Sequence, residues 1–395
     1  MVSEKWQHKQ LGQLLKLRGG YAFKSEDFRE HGDVAVLRIS NIKNNGIDLE
    51  DAVYVDRNVA EQAKDYKLRE GNVVIAMSGA TTGKTAIVRK EDLPLVLNQR
   101  VGVFDIYNSE HLSEEYLAYV VQSSSFKNQI LVNAIGGAQP NISGKQIEDV
   151  EILLPPLNEQ RKIAAILSSV DEAIEKTEAI IEQTEKVKKG LMQQLLTKGI
   201  GHTKFKKTEI GEIPEEWEVR RLEEICEIRY GKSPKGVKVE YSDYPIMGTS
   251  GHVGYAKEFL FSGPMILVGR KGTIDKPIYI ERDCWIIDTA YGLFADQTKV
   301  SLKWLYYFLT SYDLASLNEA TGVPSLNRNS LYSIKVPLPS LNEQNKISNI
   351  LTSIEQKIET EKEKLSIINE IKKGLMQSLL TGKVRVKVDD EVVSS

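Results

Sequence analysis

Two stretches of the chain carry apolar residues at spacings of four and three, or sums of these. In residues 157–197 they fall at Ile163, Leu167, Val170, Ile174, Ile181, Leu191 and Leu195. In residues 341–381 they fall at Ile347, Leu351, Ile354, Ile358, Leu365, Ile368, Leu375 and Leu379. This heptad spacing predicts a narrow apolar seam on a long helix, with charge on the remaining faces. About 41 residues at 1.5 Å each make a rod of roughly 60 Å, a strut rather than a core element. Pro155-Pro156 and Pro339 cannot continue a helix backwards, and Asn158 and Asn342 are candidate N-caps. Gly190 and Gly374 interrupt the pattern. Each weakens its helix by about 1 kcal/mol relative to Ala, unless close packing of another chain needs the missing side chain.

The two stretches are copies. LNEQRKIAAILSSVDEAIEKTEAIIEQTEKVKKGLMQQLLT and LNEQNKISNILTSIEQKIETEKEKLSIINEIKKGLMQSLLT align without gaps, with 20 of 41 positions identical. The match continues upstream through Leu154-Pro155 with Leu338-Pro339 and Pro140 with Pro324, and, after a change of offset, Trp6, Leu11, Arg18 and Gly20 with Trp217, Leu222, Arg229 and Gly231. Between these anchors similarity is thin, although GVF at 102–104 is similar to GLF at 292–294. A repeat of this period is a repeated structural unit. The expected order is a variable domain (1–156), a long helix (157–197), a linker (198–216), a second variable domain (217–340), a second long helix (341–382) and a tail (383–395). Two related helices pair naturally about a two-fold axis, which makes them antiparallel. Ile163, Leu167, Val170, Ile174 and Leu191 with Ile347, Leu351, Ile354, Ile358 and Leu375 are the expected seam.

Outside the helices the period changes to that of strands. β-rich runs at 33–39, 72–77 and 101–106, and at 264–268, 277–280 and 284–287, alternate with turns rich in Gly, Asn and Ser. Short helices are expected at 113–123 and 301–310. The fold class is therefore α+β: two mixed α/β domains joined by two long helices in an antiparallel coiled coil, an internal repeat with pseudo-two-fold symmetry.

Composition excludes more than it proposes. With 395 residues, 41% hydrophobic and 27% charged, the chain is a folded multidomain protein. No apolar run reaches the roughly 18 residues of a membrane span, and the N-terminus lacks a secretory pattern. Two cysteines without CxxC spacing argue against a zinc site or a disulfide framework, and a cytoplasmic location is expected. No HExxH, GxSxG or NPPY-type motif is present, so no metal, catalytic residue or enzymatic activity is expected. A net charge of −3 weighs against nucleic acid binding, although binding uses one face and not the whole surface.

The loops carry the candidate chemistry. Ser78–Thr85 nearly spells a P-loop, but GxxxxGK[ST] needs Gly where Ser78 stands, and the matching loop of the second domain has no GKT. Flexible Gly/Ser/Thr loops with basic residues, placed alike in both domains, suit DNA contacts through backbone amides and Lys or Arg. The candidate DNA-binding residues are Lys24, Ser78, Thr81, Thr82, Lys84, Gln99, Arg100, Gln139 and Asn141, then Lys232, Ser233, Lys235, Arg270, Lys271, Thr273, Lys276 and Arg328. Several are the types that read base edges. A non-enzymatic scaffold with protein-binding variable domains is the alternative.

The segment LPPLNEQRKIAAIL leading to KKGLMQQLLT, repeated as LPSLNEQNKISNIL to KKGLMQSLLT, resembles the specificity subunit of type I restriction–modification systems, as does FKKTEIGEIPEEWEV from Phe205. The resemblance implies two target recognition domains separated by an antiparallel helix pair. It implies double-stranded DNA, two methyltransferase subunits and restriction (motor-nuclease) subunits as partners. S-adenosylmethionine, ATP and Mg²⁺ would then belong to those partners and no cofactor to this chain. Two unlike domains imply an asymmetric bipartite site, and rigid helices imply a spacer set by their length.

Overall fold

Residues 5–43, 46–134 and 140–387 are described by the computed structural model. They fall into two units, the described residues of Met1–Thr177 with Lys364–Ser395, and Glu178–Glu363. The division cuts each long helix, so each unit holds one variable domain, the start of the helix that follows it and the end of the other helix.

In the first unit the order is β1 (Gln7–Gln10), β2 (Leu15–Gly19), β3 (Val34–Leu37), β4 (Val53–Val55), α1 (Arg57–Gln62), β5 (Val73–Ala76), β6 (Thr85–Ile87), β7 (Leu95–Leu97), β8 (Val101–Ile106), α2 (Glu114–Gln122), α3 (Ser124–Asn133), α4 (Gly144–Glu148), β9 (Glu151–Leu154) and the start of α5 (Leu157–Leu195). The second unit continues with β10 (Phe205–Thr208), β11 (Gly211–Pro214), β12 (Glu218–Arg221), β13 (Cys226–Tyr230), β14 (Lys238–Val239), β15 (Tyr244–Gly248), β16 (Gly251–Ala256), β17 (Met265–Gly269), β18 (Ile278–Ile280), β19 (Trp285–Ile286), β20 (Ala290–Ala295), α6 (Leu302–Ser311), α7 (Arg328–Tyr332), β21 (Lys335–Leu338) and α8 (Leu341–Leu379). The duplication is plain in the sheets. Order β2-β8-β5-β6 matches β13-β20-β17-β18, and β1-β9 matches β12-β21. In the smaller sheets β3 pairs in parallel with β7 as β15 does with β19. The stretch expected as a linker carries the β10–β11 hairpin.

The apolar runs of the sequence have a physical reason. β5 and β17 are buried along their length because both sheet faces are covered. Val73 and Ile75 enter a core shared with α2 and the long helices, whereas Val74 and Ala76 enter a second core against the smaller sheet. In β17, Ile266 and Val268 face one core and Met265 and Leu267 the other. Each fully buried aliphatic side chain contributes about 1.5–3 kcal/mol. The strand register also corrects the sequence alignment by one residue. Ile75 lies opposite Gly102 and Val268 opposite Tyr291, so Gly102 corresponds to Tyr291 and not to Gly292.

The long helices follow the heptad throughout, but not as a dry seam alone. Ile163 and Leu167 are buried in the first core together with Leu379 and Leu380, and Ile347 and Leu351 in the second with Leu195 and Leu196. These seam ends are thus also domain core. Val170, Ile174, Leu191, Ile354 and Leu375 are half-buried, and Ile358 is buried. The same stripe includes buried Thr177, whose hydroxyl donates to Ala173 O, and half-buried Lys188 and Lys372. In each unit the start of one helix lies beside the end of the other, hence antiparallel. Lys372 Nζ is 2.6 Å from Asp171 in the first unit and Lys188 Nζ 2.7 Å from Glu355 in the second; these are equivalent pairs of the repeat.

The LNEQ motif has a local explanation in both copies. The helices begin at Leu157 and Leu341, one residue before the expected caps, and Ser340 Oγ accepts from Glu343 N. The asparagines therefore lie inside the first turn. Gln160 is fully buried; its Nε2 donates to Pro155 O and His111 O, and its Oε1 accepts from Ser113 N. Gln344 repeats this with Pro339 O, Lys299 O and Ser301 N. The Trp6 indole N–H donates to Glu159 as that of Trp217 does to Glu343. A cation or polar group from the segment after the opposite helix completes each site. Arg385 forks onto both Glu159 oxygens, while His202 Nε2 and Ile200 N lie 2.9 Å from Glu343 Oε1.

Candidate nucleic-acid interface

The loops singled out by sequence are tied to one another at one end of each large sheet. In the first unit Tyr21 N donates to Leu97 O, Gln99 N to Tyr21 O, Met77 N to Arg100 O, Gly79 N to Pro140 O and Ile142 N to Met77 O. The second unit repeats the pattern. Lys232 N donates to Ile286 O, Arg270 N to Thr289 O, Gly272 N to Pro324 O and Leu326 N to Arg270 O. Ser78 bridges Asn141 as Lys271 bridges Ser325. Close approach explains one matched glycine: a Cβ on Gly20 would sit 2.3 Å from Asn98 O, and one on Gly231 2.1 Å from Ile287 O.

This backbone stitching uses several of the amides that the sequence offered for contact. Besides Gly79 N, the amides of Thr82, Gly83 and Lys84 donate to Gly79 O, Ala76 O and Thr81 O. These amides are committed inside the fold. Ser78 and Thr82 are buried, and the Thr82 hydroxyl donates to Gly79 O or Pro140 O. Thr81 Oγ1 is buried without a partner among the described residues.

Several of the basic candidate side chains are free. Lys84, Gln99 and Arg100 make no side-chain hydrogen bond or ion pair among the described residues, Gln99 and Arg100 being exposed and Lys84 half-buried. Lys24 is exposed and lies 3.5 Å from Glu26, and Asn141 is exposed. Gln139 lies outside the described residues. Beside Lys84, a pocket of about 180 Å³ is also lined by Lys43, Lys127 and Thr85; the first two were not picked out by sequence, where each is one lysine among many. In the second unit Lys232, Ser233, Lys235, Lys271 and Lys276 are exposed, and none of these four lysines has an acidic partner among the described residues. Thr273 Oγ1 is 3.5 Å from Ser250 Oγ. Arg270 and Arg328 lie over the ring of Tyr230, at 5.3 and 4.8 Å from its centre. Tyr230, 43% exposed, is another residue the sequence reading passed over.

On the long helices the cations are paired in part, as in Lys176–Glu172, Lys186–Glu182 and Lys362–Glu185, while others such as Lys162 and Lys346 have no acidic partner among the described residues. The overall charge of −3 conceals unpaired positive charge at the loop ends of both domains. Among the described residues no cluster of three or more His, Cys, Asp or Glu can hold a metal ion. No described helix is long and apolar enough to cross a membrane. The thiols of Cys226 and Cys284 are each pushed up to about 12 by burial.

Residues 3–186 and 214–373 match the type I restriction modification DNA specificity domain. The chain belongs to this family. It is 30% identical over 413 residues to the putative type I restriction enzyme MjaX specificity subunit of Methanocaldococcus jannaschii, across 98% of the chain and 95% of the relative. To the MjaVIII specificity subunit of the same organism it is 32% identical over 362 residues, covering 82% and 81%. The crystal structure of the type I restriction–modification S subunit from M. genitalium has a TM-score of 0.65 at 18% identity, over 96% of this chain and 97% of that one. That likeness shows the fold. The basic loops of this specificity-family chain therefore lie within the matched segments, and the clasped helix starts do as well.

Proposed function

We propose that the chain is the DNA-recognition subunit of a type I restriction–modification complex, reading an asymmetric bipartite site with one variable domain per half and holding two adenine methyltransferase subunits. The observation that carries this reading is the set of unpaired Lys and Arg side chains on stitched loops at the same end of both large sheets. Rigidly held cations position a phosphate backbone, and Arg, Gln and Asn beside them reach base edges. The two loop sets differ residue by residue, so the half-sites differ.

Two equivalent partners are supported by the outer faces of the long helices. Val187 and Ile371 occupy equivalent positions and are 44% and 50% exposed. A Cβ on the nearby Gly190 or Gly374 would meet nothing within 4 Å. Nothing among the described residues calls for glycine there, whereas a neighbouring chain packed closely on the helix would. In this reading the chain performs no chemistry and works in the cytoplasm, with S-adenosylmethionine, ATP and Mg²⁺ held by the methyltransferase and motor-nuclease subunits. The test is co-expression with a cognate methyltransferase subunit and mapping of methylated adenines. A two-part motif with an unread gap is expected; methylation without such a motif overturns the reading.

A further inference from the structure

The repeat is broken at one place in the loop junction, and the break is chemically coherent. Tyr230 ends β13 where Gly19 ends β2, Arg270 takes the backbone bonds that Met77 takes, Tyr291 corresponds to Gly102, and Arg328 opens α7 where Gly144 opens α4. In the first domain these positions make a small apolar corner: a Cβ on Gly102 would already lie 3.0 Å from Met77 Sδ. In the second domain they make a cationic aromatic cluster. The Tyr230 ring meets Tyr291 edge-on, with ring centres 5.1 Å apart, and carries both guanidinium groups. Arg328 also lies against Tyr332, and its buried Nε has no hydrogen-bond partner. Arg270 Nη1 reaches Asp288 O at 3.4 Å. The Arg328 side chain makes no hydrogen bond or ion pair among the described residues.

Two arginines on one ring, one of them without a polar partner, are not needed to close a core that the first domain closes with glycine and methionine. Stacking fixes the plane of a guanidinium and leaves its donor edge directed away from the ring, which favours planar, two-bond recognition over a point charge. Phosphate contact already has candidates in Lys232, Lys235, Lys271 and Lys276, flexible cations on the same rim. The planar acceptor pair that DNA offers an arginine is O6 and N7 of guanine in the major groove. We propose that Arg328 and Arg270, preorganised on Tyr230, are specificity-determining residues that read guanine in the half-site of the second domain, a contact the first domain lacks. This rests on the DNA-recognition reading above.

The experiment uses the full chain co-expressed with its methyltransferase subunit and compares the methylated-adenine motif for wild type, Arg328→Ala, Arg328→Lys and Arg270→Ala. The expected result is that one guanine position, in one half-site only, loses discrimination by about tenfold to a hundredfold. Arg328→Lys, which keeps the apolar stem and the charge, is expected to restore it only in part, because an ammonium lacks the planar fork that stacking on Tyr230 preorganises. Uniform weakening at every sequence, with the salt slope reduced by about one, makes the cluster a phosphate contact and overturns the proposal. An unchanged motif in all three variants makes it packing and overturns it too. Absence of any motif for the wild-type complex is a different failure, that of the DNA-recognition reading itself.

Discussion

Glu343 offers the sharpest test of how the second helix start is held. Its carboxylate is 14% exposed and accepts from Trp217 Nε1 at 3.0 Å and Ile200 N at 2.9 Å, with His202 Nε2 at 2.9 Å. Glu343→Ala removes the acceptor for all three and strands the indole N–H of Trp217, a residue 1% exposed. A hydrogen bond to a charged group is worth about 1.5–3 kcal/mol, and a stranded buried donor costs about 1–3 kcal/mol. With partial relaxation and water entry, a loss of about 3 kcal/mol is expected. Trp217→Phe removes one bond and is expected to couple to Glu343→Ala by about 1.5 kcal/mol in a double-mutant cycle. Because a chain of two units need not unfold in one step, the assay is peptide-resolved hydrogen exchange over residues 196–204. At 1.4 kcal/mol per factor of ten, exchange there is expected to rise about a hundredfold. A rise of less than threefold, or coupling below about 0.5 kcal/mol, refutes the clasp as a stabilising element.

Four further outcomes follow from the same geometry. Lys84→Ala and Lys127→Ala, each facing the basic pocket of the first domain, are expected to flatten the slope of log affinity for duplex DNA against log salt by about one each; slopes equal to wild type refute phosphate contact there. Gly190→Ala with Gly374→Ala is expected to stabilise the free chain by about 1 kcal/mol per site and weaken co-purification with the methyltransferase subunit, and tighter co-purification would contradict close packing at these positions. One heptad inserted into both long helices adds about 10 Å and is expected to lengthen the unread gap of the methylated motif, whereas an unchanged gap removes the ruler. Cys226 and Cys284 remain neutral thiols at pH 8 because burial pushes each up to about 12, so alkylation of the native chain at that pH is expected to be no faster than its unfolding; rapid labelling would contradict their burial.

How much of this was legible in the sequence depended on whether a feature is local. The heptad stripe, the short helices and the strands at 72–77 and 101–106 are periodic signals, and α5, α2, β5 and β8 formed where the period placed them. Lys188 and Lys372 were not legible as seam residues, because a lysine at a seam position reads as an interruption until its carboxylate, Glu355 or Asp171, is brought in from the other helix. The β15–β16 hairpin escaped notice because YPIMGTSGHVGYA mixes glycine with alternate polar residues, a weak signal for paired strands. The candidate loops were found as a set, yet their composition suggested available amides. Only the backbone pairing to Pro140 and Pro324 showed those amides to be committed. Tyr230 was not legible as a site residue, since tyrosine carries little readout chemistry until two arginines are seen to lie on it.

The pattern of identity between the copies then has a structural cause that sequence comparison alone does not supply. Glu159 with Glu343 and Gln160 with Gln344 are identical because each pair meets the same backbone carbonyls and the same tryptophan, whatever loops the domain carries. The completing group is free to differ, Arg385 in one copy and His202 in the other, since either donates to a carboxylate. In the loops the backbone bonds are kept in both copies while the side chains change, because a stitch made of amides and carbonyls places no demand on the side chain it carries. Glycine and methionine in one corner and tyrosine and arginine in the other are therefore tolerated by the same frame. A frame held by backbone and by helix starts is what allows two loop surfaces to diverge without separate refolding solutions, and under the proposed function it leaves the side chains at the loop junction as the place where specificity can change.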